Sequence, residues 1–350
     1  MPYLWFTLPA VKSGRQQWRA HHSERIESSL RVAFSSDRNS QTTLAVGFRR
    51  TDNAAITSPG AFASRHRSLA VKLGMNLLLW TGGVTAEHFP LFGTLKAAGF
   101  DGVELPVFGG TPADYKPIRA ELDKHGLKCT TVTILTAATN AVSPDASVRQ
   151  KASDWLKTVV EINHILGAET VCGPYHSAIG EFTGKGPTAD ELKWSADVMR
   201  GTAELAKQAN LMMAVEYLNR FECYVLTTAA GAVELVKAVN HPNFRTMYDT
   251  FHAHIEEKDP AAAIRLVAPV LAHVHISEND RGTPGTGQVN WDATFKTLKE
   301  IKYDGWLTIE AFGRALPDLA AATKVWRDLF PSPEDVYTKG IAFIRSRWAR

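Results

Sequence analysis

Met212-Met213-Ala214-Val215-Glu216-Tyr217-Leu218, a helical stretch at residues 227–239 and Arg245-Thr246-Met247-Tyr248 follow one another in the second half of the chain. A short apolar run, a longer run with helical periodicity and a second short apolar run are the pattern of a strand–helix–strand unit. The same alternation continues outward in both directions. Strands are expected at residues 73–80, 102–106, 128–135, 170–173, 212–218, 245–248, 272–276 and 306–311. Helices are expected at 87–98, 112–124, 147–166, 188–209, 227–239, 260–266, 291–302 and 332–348. Ser143-Pro144 precedes one helix and Gly126 ends another, while Asp259-Pro260 supplies an N-cap with proline in the first turn. Eight strand–helix repeats in about 280 residues are the count and size of a (β/α)8 TIM barrel. A doubly wound open sheet is the rival, but no G-x-G-x-x-G follows the first strand.

The 350 residues carry 39 Lys and Arg against 36 Asp and Glu, a formal charge of +3. That sum hides an asymmetry: residues 1–71 hold ten basic against four acidic side chains, so they carry +6 and the remainder −3. A basic protein that binds nucleic acid is therefore a poor description of the body. No apolar run approaches the ~20 residues of a membrane helix. Three cysteines without a C-x-x-C pair exclude a disulfide scaffold or zinc ribbon and point to a reducing compartment, the cytoplasm.

Residues 1–70 are Ser-, Arg- and Gln-rich without sustained periodicity, and read as a disordered or non-native N-terminal extension ahead of a barrel at 71–350. Their composition also suits an organellar transit peptide, although Met1 is not followed by the charged region of a secretory signal. An upstream start with Val71 as the true initiator would account for the extension, because Val71-Lys72-Leu73-Gly74-Met75 opens the first strand.

Barrel enzymes place their chemistry at the C-terminal ends of the strands. The last four strands end in Val215-Glu216-Tyr217, Met247-Tyr248-Asp249, His273-Val274-His275 and Ile309-Glu310-Ala311. Glu216, Asp249, His275 and Glu310 thus form a candidate metal site. Three carboxylates and one imidazole suit a hard or borderline ion, Mn2+ foremost with Mg2+ or Co2+ as substitutes, better than structural zinc. Without a cation, three converging negative charges would repel one another. A single strand-end carboxylate ordinarily caps a loop; four donors on successive strands are a different matter. His273 faces the same side as His275 one layer deeper and reads as a filler. Glu104 reads equally as a mouth residue or as a buried partner for an amide or hydroxyl.

Polar side chains cluster after these strands, in Glu216-Tyr217-Leu218-Asn219-Arg220-Phe221-Glu222, in Asp249-Thr250-Phe251-His252-Ala253-His254-Ile255-Glu256-Glu257, and in His275-Ile276-Ser277-Glu278-Asn279-Asp280-Arg281. These segments resemble the ketose 3-epimerases of the xylose-isomerase-like barrel superfamily. The strand-end Glu with N-R-F-E matches Glu216 and Asn219-Arg220-Phe221-Glu222, and D-T-F-H-x-x-I-E-E matches residues 249–257. H-x-H with a loop Arg matches His273, His275 and Arg281; Pro284-Gly285-Thr286-Gly287, Glu310 with Phe312, and Val325-Trp326-Arg327-Asp328 complete the match. It runs from residue 72 to the C-terminus and leaves the leader uncovered.

The resemblance implies metal-dependent epimerisation of a free ketose at C3, with Glu216 and Glu310 as two acid/bases that are also ligands. It implies that Glu222, His252, Arg281 and Phe312 hold the substrate, and that the protein is a dimer or tetramer. Two departures fall at the far end of the sugar: Asn76-Leu77-Leu78-Leu79 replaces first-strand aromatics, and residues 174–186 lack a tryptophan. Phe312-Gly313-Arg314-Ala315-Leu316-Pro317 after the last strand gives little for a phosphate, so a free sugar is expected. The alternatives on the same scaffold are a hydroxypyruvate-type aldose–ketose isomerase and an inosose dehydratase. A DNA-repair endonuclease would need more histidines and a basic face, and a non-catalytic sugar-binding protein would be expected to have lost ligands.

Overall fold

A computed structural model describes residues 71–349. The expectations about residues 1–70 lie outside the described residues. Eight parallel strands close into a ring: β1 (Lys72–Asn76), β2 (Gly102–Pro106), β3 (Lys128–Val132), β4 (Thr170–Gly173), β5 (Met212–Val215), β6 (Phe244–Asp249), β7 (Leu271–Ile276) and β8 (Trp306–Ile309). Each pairs with its sequence neighbours, and β1 closes on β8 through Leu73 opposite Leu307. The helices are α1 (Phe89–Ala98), α2 (Lys116–His125), α3 (Ala146–Leu166), α4 (Ala189–Gln208), α5 (Ala229–Val239), α6 (Thr250–Glu256), α7 (Pro260–Val267), α8 (Trp291–Glu300), α9 (Pro317–Thr323) and α10 (Pro333–Trp348). The (β/α)8 barrel expected from the alternating pattern is the fold.

The helix ends follow local chemistry. Gly126 ends α2 at φ 59, a left-handed conformation that glycine adopts without a Cβ clash. Asp259 caps α7 by accepting from the Ala262 amide, with Pro260 behind it. Between barrel and helices lies the larger apolar core, with Phe92, Leu95, Leu122, Leu156 and Leu298 buried in it. A smaller cluster, including Leu78, Val132, Cys172, Ala214 and Met247, is distinct from it.

Four strands are shorter than expected. β1 stops at Asn76, whose side chain accepts from the Leu78 amide and caps a 3-10 turn over Leu77–Leu79. The expected ends at 135, 218 and 311 likewise lie beyond the last strand residues Val132, Val215 and Ile309. Leu135, Leu218 and Ala311 are buried by the loops of the mouth, where Leu135 makes only an isolated bridge with Ala178, so their apolarity reports burial rather than strand membership. α6 and α9 were not expected; each has only seven residues, too few to show a period.

At the opposite end, Glu169 ties three strands together before β4 begins. It pairs with Lys72, lies 2.8 Å from Lys128 Nζ and accepts from Trp306 Nε1 at 3.0 Å. No helix among the described residues is long and apolar enough to cross a membrane.

Candidate active site

Glu216 follows β5 directly, Asp249 ends β6, His275 is the penultimate residue of β7 and Glu310 follows β8. The parallel register places Asp249 opposite His275. As a result, ligand-type atoms of Glu216, Asp249, His275 and Glu310 all lie within 4.8 Å of one another, and all four residues are buried. The four donors expected from the strand ends are therefore brought together.

Each donor is oriented by its surroundings. Asp249 caps α6 with one oxygen, Oδ1, which accepts from the amides of Phe251 (2.6 Å) and His252 (3.3 Å). Its other oxygen lies 3.4 Å from His275 Nδ1 and 3.2 Å from the Arg281 guanidinium. His275 Nδ1 is 3.3 Å from Glu310 Oε1, yet it has no hydrogen-bond partner. A buried, unpartnered imidazole nitrogen facing three carboxylates fits a divalent cation, which needs one such lone pair among oxygens.

The environments of the two strand-end glutamates differ. Burial, and then the negative charge of Glu310, push the Glu216 carboxyl well above the usual range. Burial would raise Glu310 as well, but Arg281 and His275 outweigh it and hold that carboxyl low.

The D-T-F-H-x-x-I-E-E segment wraps this centre. Thr250 Oγ1 donates to the Ser277 carbonyl at 2.6 Å, joining α6 to the loop after β7. His252 Nδ1 accepts from the Asn219 amide at 2.9 Å, which leaves Nε2 toward Glu216 and Arg281. That nitrogen lies 3.5 Å from Glu216 Oε1 and 3.0 Å from Arg281. Burial, and then the Arg281 charge, lower His252 to about 3, so its ring is neutral. Glu256 holds the Arg220 side chain at 2.9 Å as well as the Arg220 amide, and Glu257 accepts from the Ala229 amide that opens α5. The loop bearing Glu222 is thereby fixed to α6, and Asn219 Nδ2 donates to Glu222 Oε1 at 2.8 Å.

Arg281 sits in a loop organised by Glu278. This fully buried carboxylate accepts from the Gly285 and Val289 amides and from Trp291 Nε1. Arg281 adopts a left-handed backbone, φ 66, and its guanidinium lies 3.8 Å from the Phe251 ring centre and 4.9 Å from that of Phe312. It donates to Ser277 Oγ at 3.0 Å and pairs with Asp249 and Glu310.

Glu216, Glu222, His252, Arg281, Glu310 and Phe312 all line one cavity of about 120 Å3. Leu78, Pro174 and Ile179 line it too, so both stretches that depart from the resembled pattern reach the pocket. Sequence reasoning missed the roles of Asn76, Asn219 and Glu278. It left Glu104 open between two positions, and the structure puts it below the mouth, against His275 at 2.7 Å.

Comparison with known proteins places this geometry among relatives. The model of a family described as xylose isomerase-like TIM barrel matches residues 92–347. A ketose 3-epimerase of Arthrobacter globiformis is 34% identical over 281 residues, 79% of this chain and 96% of that protein. A D-psicose 3-epimerase of Agrobacterium fabrum is 30% identical over 263 residues, 74% of this chain and 91% of the other. Among solved structures, D-allulose 3-epimerase from Methylomonas sp. in complex with D-allulose aligns with a TM-score of 0.75 at 28% identity, over 79% of this chain and 97% of that one.

Proposed function

The chain belongs to the xylose isomerase-like TIM barrel family and, within it, to the ketose 3-epimerases, and on that premise we propose that it epimerises a free ketose at C3 through an enediolate, with Glu216 and Glu310 as the two acid/bases. The observation that carries this reading is the meeting of Glu216 and Glu310, which line a cavity with His252 and Arg281, with Asp249 and His275.

Inversion at C3 requires removal of a proton beside the C2 carbonyl and its return on the opposite face. Breaking the C3–H bond sends its electron pair toward C2 and the carbonyl oxygen, and the enediolate carries the negative charge. One carboxylate accepts the proton and a second carboxylic acid supplies one from the other side. Opposed surroundings suit the two glutamates to this exchange, since one is driven toward its protonated form and the other toward its ionised form. A divalent cation, Mn2+ foremost or Mg2+ or Co2+, held by Glu216, Asp249, His275 and Glu310, would supply Lewis-acid stabilisation of charge on the C2 and C3 oxygens. The neutral His252 ring and the Arg281 guanidinium beside it line the cavity where a substrate oxygen would be held. Glu222 is held by Asn219 at the same rim, and Phe312 forms an apolar wall.

A free rather than a phosphorylated sugar is supported by Arg314, the first cation after β8, which forms two 2.8 Å bonds with Asp328. The same reading includes a homo-oligomer, dimer or tetramer, in the cytoplasm, without nucleic-acid or membrane partners. The free, buried Cys129, Cys172 and Cys223 agree with a reducing compartment.

A panel of free ketoses incubated with Mn2+, Mg2+ or Co2+ and resolved by chromatography tests the reading. At least one ketose should yield its C3 epimer, with loss of conversion on chelation. An aldose product, or a dehydrated one, would assign the barrel to a different reaction.

A further inference from the structure

Below the carboxylate ring, Glu104 on β2 is completely buried in the barrel, and the chemistry above does not use it. Its oxygens receive hydrogen bonds from four other strands. Oε1 accepts from Asn76 Nδ2 of β1 at 3.0 Å and faces His275 Nε2 of β7 at 2.7 Å. Oε2 accepts from Thr130 Oγ1 of β3 at 2.8 Å and from Cys172 Sγ of β4 at 3.2 Å. Four partners match the four lone-pair sites of an ionised carboxylate. His273 Nε2 lies 2.9 Å away but is not aligned for a hydrogen bond.

Barrel interiors are ordinarily filled by branched apolar side chains, and burying a charge without a function is expensive. The geometry gives the charge a task. A carboxylate only accepts, so the His275 nitrogen that faces it must bear hydrogen. When His275 serves as a ligand its ring is neutral, and with the proton on Nε2 its Nδ1 carries the lone pair. Nδ1 is the unpartnered atom that faces Asp249 and Glu310. Asn76 Nδ2 also lies 3.3 Å from Glu310 Oε1, linking the Glu104 layer to the layer above it.

We propose that Glu104 is a positioning residue that acts through His275, holding its ring proton on Nε2 and its plane fixed so that Nδ1 is presented as a lone-pair donor beside Glu216, Asp249 and Glu310. This rests on the reading that those four residues bind a cation. Carboxylates behind metal-bound histidines tune affinity by about 10- to 100-fold.

Mn2+ titration of wild type, Glu104→Gln, Glu104→Ala and His275→Ala, followed by electron paramagnetic resonance of the free ion, tests the proposal, with melting in chelator as a control for folding. Glu104→Gln keeps an acceptor but loses the charge, so its Kd should rise about 10-fold; Glu104→Ala should approach 100-fold. At saturating Mn2+ much of the turnover should return, which a broken site would not allow. The proton magnetic resonance spectrum of Co2+-loaded wild type should show one strongly shifted, slowly exchanging N–H from His275, lost to rapid exchange in Glu104→Ala.

Unchanged Mn2+ affinity in both folded Glu104 variants, alongside a large loss in His275→Ala, would overturn the proposal alone. Undiminished affinity in His275→Ala would overturn the four-ligand reading and the proposal with it. Absence of the protected N–H in the Co2+ wild-type spectrum would overturn the proposal without any variant having to fold.

Discussion

Glu216→Gln should make the metal-free protein more stable and the metal-loaded protein less able to gain from its ion. Glu216 is buried, and its carboxyl is pushed up by burial and by Glu310. Two unit charges no more than 4.8 Å apart repel by at least about 3.5 kcal/mol at an effective dielectric constant of about 20. Protonation sets a second limit on the same penalty. The unfolded carboxyl releases its proton near 4.5, whereas the folded one holds it to higher pH. Holding that proton at pH 7 costs about 1.4 kcal/mol per pH unit, or at most about 3.4 kcal/mol.

Because the folded state binds the extra proton, stability falls as pH rises above 4.5, and the glutamine, which does not titrate, escapes this loss. The variant's advantage should be near zero at pH 4.5 and grow with pH, to at most about 3 kcal/mol at pH 7, or about 6 °C in Tm for a domain of this size. With Mn2+ at 100 times its Kd, wild type should gain about 2.7 kcal/mol, and the variant much less. Thermal melts by circular dichroism in chelator at pH 5 and 7, then with Mn2+, provide the readout. A variant that melts at or below wild type in chelator at pH 7, or an advantage independent of pH, would refute the convergence of charges.

At saturating Mn2+, Glu310→Gln should lower kcat by at least about 10³-fold, since one of two proton-transfer groups is gone; kcat within tenfold of wild type would exclude Glu310 as an acid/base. At the other end of the barrel, Lys128, Lys72 and Trp306 outweigh burial and hold Glu169 at about 2. This depressed carboxyl stabilises the fold above pH 4.5, and the contribution is lost as pH falls from there toward 2. Because the group is partly exposed, solvent screening should keep the effect below about 1 kcal/mol. Acid melts of Glu169→Gln should be correspondingly flatter than those of wild type in this window.

The fold was legible because strands buried on both faces appear as short continuous apolar runs, and these recur between longer helical stretches. The ends of those strands were less legible. Leu77, Leu78, Tyr217 and Leu218 are buried as deeply as paired residues, although they sit in the mouth beyond the sheet. The four donors could be found because each lies at or next to the end of a strand, and a parallel barrel gathers such positions at one rim. Glu104 could not be assigned from sequence, since its partner His275 lies 171 residues away and the contact exists only once the ring has closed. Glu278 was hidden for a similar reason: in sequence it is one polar residue in a polar loop, while in the structure it gathers the amides that shape that loop.

Deuterium incorporation tests C3 proton exchange most directly. Incubating a ketose that the protein converts with enzyme and Mn2+ in deuterated water should give the C3 epimer carrying one deuterium at C3, detected by proton magnetic resonance and mass spectrometry. Product formed without deuterium at C3, or with the label only at C1 or C2, would contradict epimerisation by removal and return of the C3 proton.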